Sequence, residues 1–104
     1  NKSFSILKQI LEDPKNATED QLLYANEGIS LFPAQPFVYL IKAKALNYQK
    51  EYKKALLSLK DGIDFVIEDE MEANFYNEMA ISYKALGDLQ NEKKYIEKSK
   101  KLKK

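Results

Sequence analysis

The chain has 104 residues, 44% hydrophobic and 32% charged, with a net charge of +1; these proportions suit one globular domain and give no long-range field to hold nucleic acid. It contains no Cys and no His, and all seventeen cations are Lys, which closes the usual zinc, haem, iron–sulfur and redox sites and removes Ser–His and Cys–His nucleophilic pairs. No cofactor, no metal and no catalysis are expected.

Three Gly and three Pro punctuate a chain whose apolar spacing is otherwise helical. Phe4, Leu7, Ile10 and Leu11 keep i, i+3, i+4 spacing, which predicts a first helix over 3–12. Pro14 and Asn16 break it. Thr18 then supplies an N-cap hydroxyl with Gln21 three residues on, and Glu19 and Asp20 suit the positive end of the dipole, so a second helix is predicted over 18–32. Pro33 and Pro36 bracket a stop, with Pro36 suited to the first turn of a third helix over 37–48. The run Phe37 to Ile41 is apolar nearly all round, as in a helix covered on more than one side. A fourth helix over 52–66 carries Tyr52, Ala55, Leu56, Leu59 and Ile63 as its buried stripe. Glu68, Asp69, Glu70 and Glu72 mark the start of a fifth, which stops at Gly87. The sixth begins at Asp88, an N-cap residue, and runs through Leu102. Six helices and no sheet are expected, and no run approaches the 18 apolar residues that a membrane span needs. The opening residue, Asn1 rather than Met, leads us to expect a piece of a longer or processed protein; its compartment stays open.

An internal repeat runs through these helices. QLLYANEGISLF from Gln21 aligns with ALLSLKDGIDFV from Ala55 at an offset of 34, matching Leu22 with Leu56, Leu23 with Leu57, Gly28 with Gly62 and Ile29 with Ile63. A Gly inside a helix costs about 1 kcal/mol relative to Ala, so two at one phase suggest close approach of a neighbouring helix. A third copy follows at an offset of 37, with Ala43 against Ala80 and Leu46 against Tyr83, the extra residues falling in the acidic connector.

On these residues the chain resembles the tetratricopeptide repeats, helix–turn–helix units of 34 residues. Tyr39, Ala43, Leu46, Tyr52, Ala55 and Leu59 stand where that family places its packing residues, and Tyr76, Ala80, Tyr83 and the turn Leu86–Gly87–Asp88 repeat them. Glu92, Lys42 and Ile67 depart from the pattern, replacing a small residue, an apolar one and a terminal Pro. The resemblance implies a piece of a larger bacterial repeat protein. It also implies an all-α, right-handed superhelix of three hairpins, approximately 3–32, 36–67 and 72–103, stacked because one hairpin cannot cover its own apolar face. The polar, lysine-rich last helix suits an array end.

The resemblance further implies a non-catalytic scaffold that binds a protein or peptide in a concave groove. Phe37, Leu40, Ile41, Lys44 and Tyr48 of the third helix and Asn74, Asn77, Glu78, Ile81 and Lys84 of the fifth are the expected lining, with Ile6 and Ile10 extending it. For Phe37, Leu40 and Ile41 packing against the preceding helices is the favoured alternative, and Tyr48, Asn77 and Ile81 are the better groove candidates. Apolar groups supply affinity in such a groove and amides pair with the guest backbone. Some relatives clamp a carboxylate there with Lys, Asn and Arg; Ile6, Ile10, Ile41, Asn74 and Glu78 at the matching places do not form that clamp.

Other chemistry is weaker. The acids around Glu68 lack the ligand spacing of a calcium hand and read as a solvated connector. From Ala73 onward eight Lys face four acids, yet a single aromatic in the last helix and no Arg leave little for nucleic acid. The alternative to a binding scaffold is a structural spacer of a longer repeat protein, or a segment that weakly self-associates through its end helices.

Overall fold

Capping signals and two tight turns cut the chain into helices α1 (Thr18–Leu31), α2 (Pro36–Tyr48), α3 (Tyr52–Ile63), α4 (Asp69–Ala85) and α5 (Leu89–Leu102). The computed structural model describes Lys8, Gln9, Glu12 and residues 18–102, and no strand occurs among them. These five helices are the second to sixth expected from the sequence. The expected first helix lies mostly outside the described residues, although Lys8, Gln9 and Glu12 within it have helical backbone. The Thr18 side chain, expected as an N-cap, also lies outside them.

Local chemistry accounts for most boundaries. Gln35 is extended (φ −96°, ψ 108°) and Pro36 opens α2, where a missing N–H costs nothing and a fixed φ is already helical. Asp69, Glu70 and Glu72 fill the first turn of α4, so the acidic connector starts that helix three residues earlier than its apolar spacing suggests. Asp88 caps α5, its carboxylate accepting from the Asn91 backbone N–H (3.2 Å) and side-chain amide (2.7 Å). One boundary differs from the sequence reading: α3 ends at Ile63, not Val66. The Phe65 and Val66 N–H groups turn back to the Gly62 and Ile63 carbonyls (3.1 Å each), and the Phe65 ring stacks on Tyr39 with centroids 6.0 Å apart. That aromatic contact draws the chain off the helix axis.

The α2–α3 and α4–α5 turns are built alike. After α4, the Asp88 N–H bonds to the Tyr83 carbonyl (2.9 Å) and the Gly87 N–H to that of Lys84 (3.0 Å). After α2, the Glu51 N–H bonds to the Leu46 carbonyl (2.8 Å) and the Lys50 N–H to that of Asn47 (3.0 Å). Both are the paired C-terminal bonds of a Schellman turn. The residue at the left-handed position is Gly87 (φ 82°) in one and Lys50 (φ 66°) in the other. Those positions are 37 residues apart, the offset already visible in the sequence.

Each helix packs on its chain neighbour, and α2 also packs on α4. The trace extends 44 × 28 × 22 Å. Val38, Leu59 and Phe75 are wholly buried, each contributing roughly 1.5–3 kcal/mol relative to exposure. Gly62 has the close neighbour its repeat phase suggested: a Cβ built there would lie 2.6 Å from Tyr39 Cγ. Tyr39 is pinned, its hydroxyl donating to the Pro33 carbonyl (2.6 Å) and its own carbonyl accepting from Ser58 Oγ (2.9 Å). The polar α5 buries Ser99 and is anchored by Tyr95, whose ring lies 5.6 Å from both Tyr76 and Tyr83. The Lys98 ammonium lies over the Tyr95 and Tyr76 rings at 5.3 and 5.5 Å, a cation–π contact, and Lys100 and Lys101 complement the helix end. No helix among the described residues is long and apolar enough to cross a membrane.

Candidate functional site

Two helical stripes define the face that sequence reasoning singled out. Residues 37, 41, 44 and 48 recur at i+4, i+3, i+4 along α2, and 74, 77, 81 and 84 at i+3, i+4, i+3 along α4, so each set lies on one side of its helix. The two helices are held together by a buried polar tie that the sequence did not announce. Asn47 Nδ2 donates to Glu78 Oε2 (2.9 Å), and Ser82 Oγ donates to Asn47 Oδ1 (2.7 Å). All three residues are buried, and no buried side-chain polar atom lacks a partner among the described residues. Tyr48 follows Asn47 and Ile81 precedes Ser82, so the tie sets the two stripes side by side.

The ten expected site residues separate by depth. Tyr48 is 79% exposed and Ile81 50% exposed, while Lys44 and Lys84 are exposed beside them. Asn74 and Asn77 are half-buried. Phe37 and Ile41 are half-buried against the core, and the Lys8 ammonium stands 5.3 Å from the Phe37 ring centroid. Leu40 and Glu78 lie underneath. Leu40 belongs to the core cluster, and Glu78 points into the α2–α4 packing because the Asn47 amide supplies the hydrogen bond that its carboxylate would otherwise seek in water. Ile6 and Ile10 fall outside the described residues.

What remains at the surface is an apolar pair, Tyr48 and Ile81, flanked by two ammonium groups and two amides. Tyr offers a large contact area at small entropy cost, and Asn offers both donors and acceptors. Among the described residues no group of three or more acidic side chains is arranged to hold a metal ion. Among the described residues, Tyr76, away from this face on α4, titrates well off its ordinary value. Its phenol is pushed up to about 12 by burial, then by its hydrogen bond to Glu72 and that carboxylate's charge; the hydroxyl donates to Glu72 Oε2 at 2.8 Å. It is a packing tyrosine whose neutral form is favoured.

Sequence reasoning missed Asn47 and Ser82. The signal available was a lone amide inside the apolar α2 pattern and a hydroxyl at matching depth in α4, which only pairing across helices explains. No protein-family model, no curated protein and no solved structure matches this chain.

Proposed function

We propose that the chain is a tetratricopeptide-like array, a right-handed superhelix of helical hairpins, acting as a non-catalytic scaffold that binds a protein or peptide on the α2–α4 face. The observation that carries this reading is depth: Tyr48 and Ile81 stay in solvent on two helices that pack tightly just beneath them. An exposed aromatic beside an exposed β-branched residue, rimmed by polar groups, is the composition of a binding patch. The matched Schellman turns at Lys50 and Gly87 support the repeat, as does sequential helix packing with α2 on α4.

The test is affinity capture from source cells with the wild-type chain and with Tyr48→Asp and Ile81→Asp. A partner retained by the wild type and lost from both variants, with circular dichroism unchanged, supports the reading. Retention by both variants removes the face from consideration.

A further inference from the structure

A second surface lies on the other side of α2. Three helical stripes converge there on a cleft of about 490 Å³: Leu22 to Ile29 on α1, Tyr39 to Leu46 on α2, and Lys54 to Asp61 on α3. Each stripe spans seven residues, two helical turns or about 10 Å. Stripes at heptad spacing that face a common axis are the way helices present themselves to one more helix. α1 and α3 form the walls and α2 the floor, so the cleft has the form of a helix bundle with one member missing.

Its lining has a polarity. Leu22, Ile29 and Leu46 provide apolar surface, and Leu57 on the rim is 62% exposed. Leu23 on α1, the counterpart of Leu57 at the 34-residue offset, is 65% exposed. Lys42, which departs from the repeat pattern by replacing an apolar residue, lines the cleft half-buried. It has no carboxylate within ion-pair distance among the described residues. Lys54 stands at the same end as Leu22 and Leu46. It makes only an exposed contact with Glu51 at 3.8 Å, a pair that holds it weakly. Asp61 is at the far end beside Tyr39. An ammonium partly removed from water and unpaired favours an incoming carboxylate.

We propose that this cleft docks an amphipathic helix from a partner protein, one whose apolar heptad stripe carries an acidic side chain that meets Lys42. Leu57, exposed where it lines the cleft, favours a helix over a small ligand, because it extends the apolar surface beyond the enclosed volume. This site is separate from the α2–α4 face and does not depend on it.

The probe is a fluorescein-labelled synthetic helix of about 18 residues, long enough to be helical, with leucines at heptad spacing and one central glutamate, followed by anisotropy. A second peptide carries lysine in place of that glutamate. We expect saturable binding of the acidic peptide, weakened about tenfold or more by Lys42→Glu, with the lysine peptide binding Lys42→Glu better than the wild type. Leu57→Asp, on an exposed side chain, abolishes binding without loss of helicity, and Tyr48→Asp leaves it unchanged. Equal binding of the acidic peptide to wild type and folded Lys42→Glu overturns the proposal. So does binding lost through Tyr48→Asp but not Leu57→Asp, or no binding at millimolar peptide. If Lys42→Glu fails to fold, Lys42→Met and Leu57→Asp decide: retained acidic selectivity in both overturns it.

Discussion

Gly62→Ala separates local from tertiary reasoning by sign. In an isolated helix the change is stabilising by about 1 kcal/mol. In this fold the new methyl carbon would sit 2.6 Å from Tyr39 Cγ. That atom is close to the backbone of its residue and cannot swing aside as a flexible chain end would. Two hydrogen bonds and a ring contact hold Tyr39: its hydroxyl to Pro33, its carbonyl to Ser58, and its ring on Phe65. Overpacking of this kind costs about 1–3 kcal/mol, and with so fixed a neighbour the upper half of that range applies. Against the helix gain, the net is a loss of about 1–2 kcal/mol. For a domain of this size each kcal/mol lowers Tm by roughly 4–8 °C. Urea unfolding followed at 222 nm measures it, with Lys60→Ala on the exposed side of α3 as a control within about 0.5 kcal/mol of wild type. A variant more stable than wild type would refute the close approach of α2 and α3 at this point.

The paired turns make opposite expectations: Lys50→Gly stabilises by about 0.5–1 kcal/mol by relieving a left-handed lysine. Gly87→Ala destabilises by about 1 kcal/mol from backbone strain alone, since nothing lies within 4 Å of the added carbon; thermal unfolding of both checks the pair. Asn47→Ala strips the Glu78 carboxylate and Ser82 hydroxyl of a shared buried partner and costs about 2–3 kcal/mol in denaturant unfolding, whereas Asn77→Ala, on the neighbouring surface, stays within about 0.5 kcal/mol. For Tyr76 the raised phenol means that the folded chain keeps its proton where the unfolded chain loses it. The associated stability is therefore full below pH 10 and disappears as pH climbs from there to about 12. Absorbance at 295 nm should show Tyr76 ionising late, and Glu72→Gln should bring it earlier.

Much of the fold is written locally. Pro36, Asp88 and Gly87 mark helix ends through backbone geometry and caps that act within one turn, and the spacing of Leu22, Gly28, Leu56 and Gly62 carries the repeat. Val66 continues the apolar pattern past the end of α3, where the chain turns and Phe65 stacks on Tyr39, a contact across 26 positions that local spacing does not contain. The proposed face was legible in part. Tyr48 stood out because it falls off the interior phase of α2, but Leu40 and Glu78 share the phases of exposed neighbours and differ only in what lies above them.

The amino-acid order alone determined that this chain is helical and where most of its helices begin and end, because propensity, capping and periodicity depend on residues no more than a few positions apart. The tertiary structure decided which side of α2 is covered. Burial of Leu40, capture of Glu78 by Asn47, exposure of Tyr48 and the cleft beside Lys42 all follow from where α1, α3 and α4 come to rest. Those placements are sums over distant contacts, and no short stretch of sequence contains them.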